Sequence, residues 1–154
     1  MTTEHLFEQP DRFVVGTVGS PGERVFYLQA VEGAQTVTVA LEKAEVAALA
    51  QGLAELLDQV GAKARRFDDV DPDPLETPFL EDFRVSELSV AWDGERVMIE
   101  AADGSDGRLK VALTTAQTRA FIGRAERIVA AGRPPCTLCG RPDGPSGHFC
   151  PRLN

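Results

Sequence analysis

The chain is short of cysteine, of aromatic side chains and of long apolar runs. Its three cysteines all fall within the last 19 positions, close to one of only two histidines. An odd number of cysteines clustered in this way makes a poor disulfide framework and suits a reducing compartment. No stretch approaches the roughly 20 consecutive apolar residues that a membrane-spanning helix needs. The segment from Met1 to Asp11 carries Glu4 and Glu8 and has no basic stretch leading into an apolar run, so it does not read as a secretory signal. The expectation is a cytoplasmic protein with no membrane partner.

Basic residues are also scarce, 16 against 24 acidic ones, for a formal net charge of −8. Whole-molecule attraction to nucleic acid or to an anionic membrane is therefore not expected. The imbalance is uneven. From Gly132 onward there are three arginines and one aspartate, which leaves 13 basic and 23 acidic residues before it.

What is present is the material of a packed domain. At 154 residues, 43% hydrophobic and 26% charged, the chain is long enough to bury a core and has an ordinary globular composition. The tetrapeptide Gly22-Glu23-Arg24-Val25 recurs as Gly94-Glu95-Arg96-Val97, a shift of 72 residues. Carried on without gaps, that shift pairs Ala30 with Ala102, Val39-Ala40-Leu41 with Val111-Ala112-Leu113, Ala44 with Ala116 and Ala48 with Ala120. A recurrence of this kind points to internal duplication.

The element patterns agree with that reading. Arg12 to Val18 and Val25 to Val31 read as strands around the turn Ser20-Pro21-Gly22. Val37, Val39 and Leu41 then alternate with Thr36, Thr38 and Ala40 as in a half-buried strand. Val46, Leu49, Leu53, Leu56 and Val60 follow at helical spacing, and Gly61 supplies a stop. The second copy offers strands over Phe83 to Trp92, Arg96 to Ala101 and Arg108 to Leu113, then a helix bearing Phe121, Ala125, Ile128 and Val129. Thr114 and Gln117 have the spacing of a capping box, and Gly132, Pro134 and Pro135 mark the helix end.

The expected fold is α+β: two βββα repeats related by a pseudo-two-fold axis, over residues 12–61 and 83–131. Their strands would form one antiparallel six-stranded sheet or a partly closed barrel, with two helices packed on it. Residues 62–82, with Pro72, Pro74, Pro78 and the acids Asp68, Asp69, Asp71, Asp73 and Glu76, read as a solvated linker. They lack the glycine and terminal glutamate of a calcium loop. The body is thus 1–131, and 132–154 forms a tail.

The tail holds Cys136-x2-Cys139-x8-His148-x-Cys150, with Gly140 directly after the second cysteine. Two cysteines at this spacing can wrap a tight turn that aims both sulfurs at one ion. Three thiolates and one imidazole then fill the tetrahedral shell of Zn²⁺ and leave no open position for substrate water. The segment carries mainly Leu138 and Phe149 as large apolar side chains, so a metal is the expected source of its order. The bland alternative is three free thiols and a solvent histidine. An iron–sulfur cluster would need His148 in place of a thiolate, and a thioredoxin-type pair should open a helix rather than follow Pro134 and Pro135. Arg133, Arg141 and Arg152 stand ready either to neutralise the net negative zinc–thiolate centre or to meet a partner.

Catalytic sets are thinly represented. His5 lies in what reads as a flexible terminus, and Gly16, Gly19 and Gly22 fit a hairpin rather than a dinucleotide loop. Tyr27 and Trp92 read as core or sheet-face aromatics. An enzyme would have to use a cleft between the repeats, with Asp82 or Glu100 beside Arg24 or Arg96. The functional expectation is a noncatalytic zinc-containing interaction or regulatory protein whose partner is another protein. The alternatives are that enzyme, or nucleic-acid binding through Phe149 and the tail arginines, which the acidic body opposes.

The run Gly132-Arg133-Pro134-Pro135-Cys136-x2-Cys139-Gly140-Arg141-Pro142 through Gly147-His148-x-Cys150-Pro151-Arg152, with Asp11-Arg12-Phe13 and the helix starting near Thr115, resembles an uncharacterised actinobacterial family. The likeness covers nearly the whole chain. It implies a cytoplasmic conserved protein of unknown function, encoded near a phosphoglycerate-mutase-like phosphatase, and it implies no activity or catalytic residue.

Overall fold

The computed structural model describes residues 3–20, 22–61 and 70–131. Among the described residues, eight strands and two helices follow in the order β1 (Thr3–Phe7), β2 (Arg12–Val18), β3 (Val25–Glu32), β4 (Gln35–Leu41), α1 (Lys43–Gln59), β5 (Glu81–Arg84), β6 (Glu87–Trp92), β7 (Val97–Ala102), β8 (Gly107–Leu113) and α2 (Thr115–Ala131). No described helix is long and apolar enough to cross a membrane.

The fold is α+β, as expected, but the described strands form two mixed four-stranded sheets and no closed barrel. Sheet I has the order β2-β3-β4-β5 and sheet II the order β1-β8-β7-β6. In each, three antiparallel strands are extended at one edge by a parallel fourth, β5 on β4 and β1 on β8. These two parallel strands correct the expectation of one antiparallel sheet. They are short and polar, TEHLF and EDFR, and pair with strands remote in sequence, so no local alternation marks them. His5 therefore sits in a strand, opposite Leu109, and not in a loose terminus.

The chain passes between sheets beside each of these edges. The Val85 N–H donates to the Ala40 carbonyl of sheet I at 2.8 Å, and the next N–H, of Ser86, donates to the Ala102 carbonyl of sheet II at 2.8 Å. One stretch that alternates like a single strand from Phe83 to Trp92 is thus two strands in two sheets. Likewise β1 belongs to sheet II, and Asp11, just before β2, donates its N–H to Val31 in sheet I at 2.7 Å.

A single core fills the space between the sheets and the helices. Phe13, Val15, Leu28 and Val39 from sheet I meet Ile99, Val111 and Leu113 from sheet II, together with Leu53, Leu57 and Phe121 of the helices. The helix stripe differs by one position from expectation: Leu57 is buried while Leu56 is only partly so. The helices pack against each other, α1 against β6 of sheet II and α2 against β2 of sheet I.

Both helix starts are capped reciprocally. The Thr114 N–H donates to Gln117 Oε1 at 3.0 Å and the Gln117 N–H to Thr114 Oγ1 at 3.1 Å, the capping box read from their spacing. The Glu42 N–H donates to Glu45 Oε1 at 2.8 Å in the same way. Gly61, at φ 77°, ends α1.

The shift of 72 holds for β4 and α1 against β8 and α2, whose bounds all differ by that number. It fails in β3. Leu41 pairs with Phe26 and Leu113 with Val97, so Val97 stands where Phe26 does, one residue out of step. Val25 is accordingly 37% exposed while Val97 is fully buried. The physical cause is the hairpin: two residues separate Glu32 from its partner Gln35, whereas a longer turn joins Ala102 to its partner Arg108.

Residues 70–80, expected to be solvated, lie on the outer face of sheet I. Leu75 is buried over Gly16, where a built Cβ would stand 2.5 Å from Leu75 Cγ. Phe79 packs edge-on against Tyr27 at 5.0 Å. Gln29, in the middle of β3, donates to Thr38 Oγ1 and to the Glu76 carbonyl, and accepts from the Glu76 N–H at 2.7 Å. Gly16→Val should push Leu75 off the sheet and cost about 1–3 kcal/mol, as overpacking does. Urea unfolding should show the lower midpoint with far-UV circular dichroism unchanged before the transition.

Candidate functional site

The densest polar cluster among the described residues is built where β2, α2 and the 70–76 segment meet. Arg12 opens β2, and its guanidinium faces the Asp71 carboxylate, with Nε to Oδ2 at 2.5 Å and Nη2 to Oδ1 at 3.2 Å. Its remaining donors reach the Pro74 carbonyl at 2.9 Å and the Asp73 carbonyl at 2.5 Å. Arg124 projects from the buried face of α2, one turn beyond Phe121. Its Nε donates to the Val15 carbonyl at 2.7 Å, and its Nη1 to the Asp71 and Asp73 carbonyls at 2.8 and 2.5 Å.

Charge follows from this geometry. The hydrogen bond to Arg12 holds the Asp71 carboxyl below its ordinary value, helped by the Asp73 N–H and opposed by burial. The same bond raises Arg12, while burial and the neighbouring Arg12 charge lower Arg124. Arg124 remains a cation at any working pH. The hydrogen bonds described for both arginines go to main-chain carbonyls and to Asp71, so the pair holds the 71–74 segment in place. A small cavity of about 150 Å³ beside the cluster is lined by Arg12, Phe13, Asp71, Gln117 and Phe121. A larger groove of about 470 Å³ runs between α1 and α2, lined largely by Ala47, Ala50, Ala54, Ala125 and Val129.

The residues considered for a cleft enzyme are engaged separately. Asp82 accepts the Thr38 N–H at 2.9 Å in sheet I. Glu100 pairs with Arg108 at 2.5 Å in sheet II. Arg96 donates to the Glu8 carbonyl, and Arg24 lies 5.9 Å from the Phe26 ring centre. The expected zinc ligands Cys136, Cys139, His148 and Cys150, and Arg133, Arg141 and Arg152, lie outside the described residues. Among the described residues no group of three or more His, Cys, Asp or Glu side chains is placed to hold a metal ion.

Sequence reading missed Arg124 and Gln29. Arg124 had a signal: it falls on the same helical stripe as Phe121, Ala125 and Ile128, where a charge is out of place unless it finds buried acceptors. Gln29 had none, because Glu76, whose N–H and carbonyl bracket its amide, lies 47 residues away.

The class the structure defines is a two-sheet α+β protein with one shared core. Within that class the chain belongs to a family described as protein of unknown function, DUF3090, whose profile matches residues 5–150. No curated protein and no solved structure matches it.

Two outcomes test the cluster. Arg124→Met should cost roughly 2–4 kcal/mol, because it leaves buried carbonyls without donors, read as a lower urea midpoint. Asp71 has a folded pKa below its unfolded one, so its contribution is complete above the unfolded value and lost as pH falls through the folded one. Asp71→Asn should therefore lower stability at neutral pH by about 1–2 kcal/mol and lessen the further loss on acidification below about pH 4.

Proposed function

We propose that this is a noncatalytic, zinc-containing interaction or regulatory protein, whose tail binds one Zn²⁺ through Cys136, Cys139, His148 and Cys150 and meets a protein partner. The observation that carries the reading is the donor set itself, three cysteines and a histidine at metal-ligand spacing in a segment poor in large apolar residues. A closed shell of three sulfurs and one nitrogen supplies order and no reactive water. Arg133, Arg141 and Arg152 then serve charge balance or partner contact. The engagement of Arg12, Arg124 and Asp71 in holding residues 70–76 supports a scaffold role for the body.

The body is read as a duplicated βββα unit in a cytoplasmic actinobacterial protein. Supporting the duplication are the equal lengths of α1 and α2, their bounds 72 residues apart, and the matching strand orders of the two sheets. An experimental structure in which β3 to α1 and β7 to α2 fail to superpose would overturn it. The resemblance drawn from sequence gives a phosphoglycerate-mutase-like phosphatase as the first partner to try.

Protein purified without chelator, with thiols reduced, should carry one zinc per chain; less than half an equivalent by elemental analysis counts against the site. Cys139→Ser should release the metal while leaving far-UV circular dichroism and cooperative unfolding of the body largely intact. The same variant should lose its partner in a pull-down against the named phosphatase or host lysate. Global unfolding would make zinc part of the core, and full retention of the partner by a folded variant would move the recognition surface to the body.

A further inference from the structure

The two sheets have the same layout and unequal cover. On sheet I, the chain leaving α1 returns as residues 70–80 and covers the outer face. Its floor is closed to solvent: Gln29 is 0% and Thr38 1% exposed. The paired positions on sheet II follow from register. Leu28 pairs with Val39 and Ile99 with Val111, which makes Glu100 the counterpart of Gln29 and Lys110 that of Thr38. Their side chains are 33% and 38% exposed. Val14, buried on sheet I, corresponds to exposed Ser89.

The uncovered face is also shaped. Small residues, Ser89, Ala91, Ala102 and Ala112, floor it. A depression of about 310 Å³ opens there between Glu87, Leu88, Glu100 and Arg108. On sheet I the register counterparts of Glu87 and Glu100 are Arg12 and Gln29, which are covered by residues 71–76, with Leu75 one strand step further on, over Gly16, the counterpart of Ala91. The helix that stands to sheet II as α1 stands to sheet I is α2, the one that follows its third antiparallel strand, and the chain leaving α2 is residues 132–154.

We infer that residues 132–154 dock on the outer face of sheet II, as residues 70–80 do on sheet I, with Phe149 filling the depression between Glu87 and Arg108. Separation along the chain agrees. Leu75 lies 16 residues beyond Gln59, the last of α1, and Phe149 lies 18 beyond Ala131, the last of α2. Charge agrees as well. Glu100 is paired with Arg108 and Glu4 with Lys110, which leaves Glu87 as the acid on this face with no ion pair among the described residues. The segment brings Arg133, Arg141 and Arg152 against one aspartate, Asp143. Docking there has an aromatic anchor, a small-residue floor and a charged rim. The inference adds a seat for the segment to the function proposed above, and rests on that reading only for the metal.

The full-length chain carrying Ser89→p-benzoylphenylalanine is irradiated and its adducts mapped by mass spectrometry, with ¹⁵N-labelled and unlabelled chains mixed. Ala91 serves as a second position if the first variant folds poorly, and Gln51 on the α1–α2 groove as the control. The expected result is an adduct on residues 132–154 of the same chain from Ser89 or Ala91, absent from Gln51. Adding Glu87→Lys and Glu100→Lys should weaken it several-fold. No adduct on that segment, adducts joining labelled to unlabelled chains, or an adduct from Gln51 alone would overturn the inference. Irradiation with and without EDTA, alongside zinc analysis, separates the two readings. A same-chain adduct in metal-free protein establishes the seat while the zinc site fails, and one zinc per chain without the adduct does the reverse.

Discussion

Burying a guanidinium is unfavourable unless its N–H groups find acceptors, and here that constraint decides the path of the least regular part of the body. Arg12 and Arg124 come from a strand and a helix far apart in sequence and converge on carbonyls of residues 71, 73 and 74. A segment with three prolines and many acids has few ways to satisfy itself; presenting its carbonyls to two arginines is one. Once it is held there, Leu75 can fill the space over Gly16 and Gln29 can close around Glu76. The chain then arrives in line to form β5.

From β5 the rest of the architecture follows. A strand that enters parallel to β4 after a helical crossover must leave sheet I at its edge, and it does so between Val85 and Ser86, whose successive N–H groups bond to different sheets. The link from β1 to β2 is its counterpart. Each sheet thus borrows its fourth strand from chain that continues into the other sheet, so neither can form its full edge without its neighbour. One shared core, with each helix packed on a strand of the sheet it does not follow, is the consequence.

For function, the body's buried charges are occupied in construction, whereas all three cysteines and His148 lie after α2. A family match that runs through residue 150 takes in both parts, so the body and the cysteine-bearing segment belong to one pattern. The uneven cover of two like sheets is the feature of the body that relates them, because it leaves a shaped face on the sheet that α2 follows.

Period and punctuation in the sequence determined β2, β3, β4, β7, β8 and both helices: alternating apolar residues, a 3.6-residue stripe, the Thr114–Gln117 cap and the stop at Gly61 all act within a few residues of the chain. The expectation of a metal at Cys136, Cys139, His148 and Cys150 rests on spacing in the same way, and these residues lie outside the described ones. Tertiary structure decided what depends on distant partners. The polar strands β1 and β5 gain their hydrogen bonds from β8 and β4, not from their own pattern, and so they turned one expected sheet into two. A one-residue register difference in β3 and β7 came from unequal hairpins, which identity of residues conceals. Arg12 and Arg124 found acceptors on a segment whose acids and prolines, read alone, indicate solvent, because a carbonyl's partner is set by the fold and not by its neighbours in the chain.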